Sequence, residues 1–180
     1  MDATMTTGSL RLCILRHGET EENIARILQG HLPGRLTAAG RQQAMDAAKE
    51  LPLADFDAVV SSDLQRVTDT VRLLFNGTPP CPWERLETFR EIDWGSMTGM
   101  HIPEVNMRHL ADDVETREQL YCRAGKALDY LRRHYAGQTV LVVSHGLFLR
   151  SLQAQAEGIP LCALRQMPRL GNCEHRWLEV

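Results

Sequence analysis

Nowhere in its 180 residues does the chain carry a run of apolar residues long enough to cross a bilayer. Positive charge is not in excess either. Against 20 Lys and Arg stand 23 Asp and Glu, a net charge of −3, which leaves no basic footprint for nucleic acid. An anionic small molecule is not excluded, because a local arginine cluster is enough to hold one. There are only 5 cysteines, odd in number and widely spaced, with no Cys-x-x-Cys. That pattern predicts reduced, mostly buried thiols in a cytoplasmic protein. The 7 histidines lack His-x-x-x-His or similar ligand spacing, so no metal site is expected. Aromatic residues make up 6% of the chain, and Trp83, Trp94 and Trp177 read as core or rim packing rather than as a platform for stacking bases. Repeats, low-complexity segments and linkers are missing, which predicts one domain over residues 1–180. The opening MDATMTTGS has no basic stretch followed by an apolar one, so it is not a signal peptide and reads as a flexible tail over residues 1–9.

What is present is an alternation of apolar strands and amphipathic helices. The run LRLCILRHGE (residues 10–19) rises through Leu10, Leu12, Cys13, Ile14 and Leu15 and stops at Arg16-His17-Gly18, as a buried strand and its following loop would. Ile24, Ile27 and Leu28 recur at near-helical spacing. Thr37 suits a helix N-cap before Ala44, Ala47, Ala48 and Leu51. A second strand covers residues 56–60, and Ser62 with Gln65 suggests a capping box for a helix that buries Val67, Val71 and Leu74. Residues 81–86 suit a short strand and 89–95 an ordered loop. A cap segment of about residues 96–113 is expected to hold a short helix over residues 101–110. A long helix is expected over 114–134, with the acidic run at 112–115 at its start, where acids favour the dipole. Thr139-Val-Leu-Val-Val143 is the cleanest strand and ends at Ser144-His145-Gly146; a helix over 147–156, an irregular stretch at 161–173 and a last strand at 174–180 follow. The expected fold class is α/β, a three-layer αβα sandwich with a mostly parallel central sheet.

Two strands therefore end in His-Gly. In an open parallel sheet such ends share one rim, where ligands gather, so His17 and His145 can face each other there. Arg16 and Arg66 can reach the same place, Arg66 from the first turn of its helix. Such donors suit a phosphoryl group, whose transfer depends chiefly on positioning and charge stabilisation. One unprotonated imidazole could be the nucleophile, and a carboxylic acid, Glu91 or Asp93, must then protonate the leaving oxygen. A serine hydrolase through Ser144 is excluded, since Val142 stands where the nucleophile elbow needs glycine.

These residues occur in a specific order. Arg16-His17-Gly18-Glu19-Thr20 with Asn23, Gln29-Gly30 and Leu36-Thr37, then Ser61-Ser62-Asp63-Leu64-Gln65-Arg66, then Arg90-Glu91-Ile92-Asp93-Trp94-Gly95, then Val143-Ser144-His145-Gly146, resemble the four motifs of the histidine phosphatase (phosphoglycerate-mutase-like) superfamily across nearly the whole chain. The resemblance implies that fold, His17 as the residue that becomes phosphohistidine, and Arg16, Arg66 and His145 as the phosphoryl pocket. It implies Glu91 rather than Asp93 as proton donor. Asn23 would contact phosphate, Gln29 and Gly30 would form a substrate-facing turn, and Gly146 belongs to the binding set. It further implies no metal and no cofactor. Glu115 and Arg123 fit a family pattern on the long helix that is structural. The third motif departs from the mutase pattern, Glu-Arg-His-Tyr-Gly, and the mutases' longer arginine-bearing insertion is missing; both favour hydrolysis. Ser96-Met97-Thr98-Gly99 and the cap are atypical of the phosphatases and bear on substrate. Size and motif style resemble the α-ribazole-phosphate phosphatases of cobalamin synthesis and related sugar phosphatases. The expected partner is a small-molecule phosphomonoester, with no nucleic acid and no membrane; a homodimer stays open as the assembly.

Overall fold

The computed structural model describes residues 8–180, so the tail expected over 1–9 falls outside it for residues 1–7. Gly8 and Ser9 are tied down: the Gly8 carbonyl accepts from the Gly137 N–H at 3.1 Å, and Ser9 Oγ donates to Glu179 at 3.1 Å. Five strands, β1 (Arg11–Arg16), β2 (Ala58–Ser61), β3 (Trp83–Arg85), β4 (Thr139–Ser144) and β5 (His175–Glu179), form one sheet in the order β3-β2-β4-β1-β5. The first four are parallel, and β5 closes the edge antiparallel to β1. Because β1 and β4 are neighbours in register, Arg16 lies directly opposite Ser144, which brings the two His-Gly ends side by side.

The central strands are buried on both faces, which is why they read as nearly continuous apolar runs. Side chains alternate between the faces. Leu12, Ile14, Val140 and Val142 pack with α4 (Arg117–His134) and α5 (Gly146–Ala156). Cys13, Leu15, Leu141 and Val143 pack with α2 (Ala38–Glu50) and α3 (Gln65–Leu74). Each fully buried aliphatic side chain contributes about 1.5–3 kcal/mol. The three layers are those expected.

α2 starts at Thr37, whose Oγ1 accepts from the Gly40 N–H at 2.8 Å and donates to Glu19 at 2.8 Å. Its first turn lies against the loop after β1 so closely that a Cβ on Gly40 would be 2.0 Å from the Glu19 carbonyl oxygen, and one on Gly18 would be 2.5 Å from that of Gly40. Two glycines thus let backbone touch backbone and fix where the Arg16-His17-Gly18 loop stands.

Local expectations are corrected in five places. The helix at Ile24 is only α1 (Glu21–Ile24), because Arg26 turns to φ +54° and leaves Ile24 exposed. Ser62 and Gln65 form no capping box: α3 is preceded by Leu64, Gln65 bonds Asp69, and the Ser62 hydroxyl is engaged by His145. Residues 101–110 hold a single 3-10 turn, Ile102–Glu104, rather than a helix. Its apolar contacts, Ile102 and Val105, go down onto Leu28, Met97 and Val114, while Met107 and Leu110 stay exposed. The acidic residues at 112–115 precede α4 instead of starting it. Asp113 accepts from Ser96, Glu115 from Arg123, and a Thr116–Gln119 capping box begins the helix. Of the free cysteines, Cys13 and Cys173 are buried, with burial pushing both thiols up to about 12, but Cys122 and Cys162 are exposed.

Candidate active site

The carboxyl ends of β1 and β4, the first turn of α3 and the N-terminus of α5 converge on one place. His17 and His145 are both buried, with ring centroids 5.3 Å apart. Between them reaches Arg66, only 1% exposed. Its Nε donates to His17 Nε2 at 3.3 Å and its Nη2 to His145 Nδ1 at 3.0 Å. The rest of the guanidinium is held by the carbonyls of Gly30, at 2.9 Å, and Leu32.

A guanidinium has no acceptor, so these bonds assign both tautomers. His145 carries its proton on Nε2 and donates it to Ser62 Oγ at 2.9 Å. His17 carries its proton on Nδ1, donated to the Gly18 carbonyl at 2.8 Å, and keeps Nε2 as a lone pair. Burial, then the charges of Arg66 and Arg16, hold His17 well below its ordinary value of 6.5; burial and Arg66 do the same to His145. Both imidazoles are therefore neutral at neutral pH. Burial brings Arg66 down to about 10, which leaves it charged.

Arg16 approaches from β1. Its Nη1 donates to the Leu170 carbonyl at 3.0 Å, while its Nε is buried with no acceptor. A buried cationic donor left unsatisfied is costly unless an anion completes it. Gly146 lies against this side chain, where a Cβ would be 3.4 Å from Arg16 Nε, an ordinary contact distance.

Glu91 lies across the N-terminus of α5. Its Oε1 accepts from Ile92 N at 3.1 Å and Phe148 N at 3.1 Å, its Oε2 from Leu147 N at 3.2 Å. Oε2 thus has a lone pair to spare and Oε1 does not. Asp93, two residues on, turns to the Gly95 N–H at 2.9 Å and to the His31 side, lining a separate cavity of about 870 Å³ that none of the five residues touches. The loop is pinned by Arg123, which grips both oxygens of Glu115 and the carbonyls of Thr88, Arg90 and Glu91.

The structure thus brings together His17, Arg16, Arg66, His145, Glu91 and Gly146. Asn23, Gln29 and Gly30 stand behind them. Asn23 Oδ1 accepts from Thr20 N and from Asn172; Gln29 is buried with its Oε1 on Thr20 Oγ1; the Gly30 carbonyl is spent on Arg66. Sequence reasoning missed two supports. Ser62 has the composition of a helix cap, yet its hydroxyl accepts from His145 Nε2. Asn172, whose Nδ2 donates to the His17 carbonyl at 3.0 Å, lies in a stretch with no periodic signal. Among the described residues no group of three or more His, Cys, Asp or Glu side chains converges as metal ligands would, and no helix is long and apolar enough to cross a membrane.

Two cationic forks around an unprotonated imidazole nitrogen, with a carboxyl group beside them, define a phosphoryl-handling α/β protein. Comparison with known proteins identifies which. The model of the histidine phosphatase superfamily (branch 1) matches residues 12–180, and the chain belongs to that superfamily. It is 29% identical over 150 residues to the "Uncharacterized phosphatase PhoE" of Bacillus subtilis, covering 82% of this chain and 77% of that protein. It is 32% identical over 178 residues to the "Probable phosphoglycerate mutase GpmB" of Shigella dysenteriae, covering 91% of this chain and 82% of that one. A solved structure from Escherichia coli K-12, provisionally named an alpha-ribazole-5'-P phosphatase, superposes with a TM-score of 0.84 at 26% identity, over 95% of this chain and 90% of that one.

Proposed function

We propose that the protein hydrolyses a phosphomonoester of a small metabolite through a phosphohistidine at His17. The observation that carries the reading is the state of His17: its Nε2 is unprotonated and faces the Arg66 fork, while its Nδ1 is tied to the Gly18 carbonyl. Phosphate bound between Arg66 and the unsatisfied Arg16 Nε would take over the Arg66 contact and meet the Nε2 lone pair. A bond forms from Nε2 to phosphorus and the bond from phosphorus to the leaving oxygen breaks. Glu91 gives that oxygen a proton from Oε2. Water then attacks the phosphohistidine, Glu91 takes the proton back, and inorganic phosphate leaves. His145, held neutral between Arg66 and Ser62, turns Arg66 toward the reacting group.

The similarity to the Escherichia coli protein supports α-ribazole 5′-phosphate as a first compound to test, beside sugar phosphates. The similarity to GpmB supports a second reading, transfer within phosphoglycerate. A mutase would isomerise 3-phosphoglycerate faster with added 2,3-bisphosphoglycerate, whereas a hydrolase releases inorganic phosphate without it. The central test is turnover of p-nitrophenyl phosphate alongside trapping of an acid-labile phosphoenzyme. Wild type should show both and His17→Ala neither; near-normal turnover by His17→Ala ends the proposal.

A further inference from the structure

One arginine is left over. Arg150 lies on α5, one turn beyond Leu147, and is 7% exposed. It takes part in no side-chain hydrogen bond or ion pair among the described residues, and its Nε is buried without an acceptor. A guanidinium has five N–H donors; here the buried Nε–H has no partner, which is unfavourable, and the Nη donors bond no other group among the described residues. Such a group stays in a fold either where packing alone justifies it or where a ligand supplies the missing anion. Here there is a space for a ligand. Arg150 lines a cavity of about 450 Å³ together with Trp94, Met107, Leu110, Leu147 and Leu164, a volume suited to a small metabolite.

None of the five phosphoryl-site residues lines that cavity, but two of its wall residues, Ile92 and Leu147, stand next to Glu91. Leu147 forms part of its wall and donates its N–H to Glu91 Oε2, the oxygen assigned above to the leaving group. The electrostatics agree. Burial is the main cause that lowers both Arg16 and Arg150; Arg169 lowers both further and Glu91 opposes it. Arg117 and Arg165, also unpaired, stand on the rim; so do the acidic Asp112 and Glu118, while Glu115 is committed to Arg123. Arg150 is the one buried group among these charged residues.

We propose that Arg150 binds a second anionic group of the substrate, a carboxylate or a second phosphate carried on the leaving-group side. The proposal rests on the phosphatase reading and narrows it. Phosphorylated hydroxy acids and sugar bisphosphates rank above α-ribazole 5′-phosphate and plain sugar phosphates. The apolar wall of Trp94, Met107 and Leu110 lies over the carbon skeleton between the two anions.

The test uses matched substrates that differ in one anion: 3-phosphoglycerate against glycerol 3-phosphate, phosphoserine against phosphoethanolamine, and fructose 1,6-bisphosphate against fructose 6-phosphate. The first two pairs report a carboxylate and the third a second phosphate. In wild type at least one pair should show kcat/KM higher for the anion-bearing member by roughly tenfold to a hundredfold, mostly through KM, as expected for a charge-assisted pair. In Arg150→Met that ratio should collapse toward one, and Arg150→Lys should keep part of it. Ratios near one for all three pairs in wild type overturn the proposal without any variant. So does a high ratio unchanged by Arg150→Met or, if that variant does not fold, by Arg150→Lys. Failure of the phosphatase reading looks different: wild type would then hydrolyse neither member of any pair, nor p-nitrophenyl phosphate.

Discussion

Arg123 offers the sharpest test of how the scaffold holds Glu91. The side chain sits on α4 and makes five donor contacts: 2.8 and 2.7 Å to the two oxygens of Glu115, and 2.8, 2.7 and 3.2 Å to the carbonyls of residues 88, 90 and 91. Its guanidinium also lies 5.2 Å from the centre of the Phe148 ring. The ion pair is largely shielded, with side-chain exposures of 21% for Arg123 and 15% for Glu115. Arg123→Met keeps a hydrocarbon stem and removes every donor, together with the guanidinium that lies over Phe148. Glu115 then retains only the Asp93 N–H as a partner. Truncating one member of a mostly buried pair costs about 3 kcal/mol at the lower end. For a chain of this length that lowers Tm by roughly 6–12 °C. The second consequence is catalytic. With three carbonyls of its loop released, Glu91 loses fixed placement against α5, and a misplacement near 1 Å costs on the order of a hundredfold in rate. The expected result is a fall in kcat with KM for p-nitrophenyl phosphate nearly unchanged, because Arg16, Arg66 and His17 are held by other elements. Arg123→Lys should fall in between, since one ammonium cannot span a carboxylate and three carbonyls. Thermal melts and steady-state kinetics on the three proteins decide it. A variant with Met at this position, Tm within 2 °C of wild type by the ~3 kcal/mol estimate and full kcat, refutes the reasoning.

Acid sensitivity follows from the two imidazoles. Both folded values lie well below 6.5, so below about pH 6.5 the unfolded chain binds more protons. Stability should then fall as pH falls, by up to roughly 1–1.5 kcal/mol per pH unit for each histidine until its folded value is reached. Asp63, lowered by its bond to Arg90, acts only near and below its ordinary value of 3.8, so denaturant midpoints between pH 6.5 and 5 isolate the histidines; a flat midpoint there contradicts the assignment. Gly40→Ala inverts a general expectation. Alanine in a helix is normally worth about 1 kcal/mol over glycine, but here its Cβ would meet the Glu19 carbonyl oxygen at 2.0 Å. A loss of about 1–3 kcal/mol is expected from the overpacking, and a raised Tm would refute the contact.

The sheet and the heart of the site were legible because both are written in short, local signals. Val140 to Val143 is apolar at every position because both faces of β4 are covered, and His145 follows where such a strand must end. Arg66 could be placed because the first turn of a helix after a parallel strand points back to the strand ends. What escaped was decided by tertiary contact. Ser62 has the composition of a helix cap, yet its hydroxyl serves a histidine 83 positions away. The segment at 101–110 has helical composition, but its two anchoring residues are held by a separate small cluster, which fixes it as a turn. Asn172 and Arg150 carry no pattern at all; one is defined by reaching the back of His17, the other by what it fails to reach.

The burial of so much positive charge explains why the proton arrangement is so tightly specified. Arg66 is almost completely enclosed, and the carbonyls of Gly30 and Leu32 offset part of that cost with their dipoles. They cannot neutralise it. A protonated imidazole on either side would add a second cation to the same enclosure, so burial first and Arg66 second keep His17 and His145 neutral, and both aim their lone pairs at the guanidinium. The same charge that keeps Nε2 of His17 available for attack is the charge that a phosphoryl group would seek. In this site one buried guanidinium both contributes to nucleophile activation and offers the charge for anion binding. Replacing Arg66 would therefore disturb both together, whereas the unpaired Arg150, one turn beyond Leu147 on α5, is placed to change the choice of substrate while leaving His17 as it is.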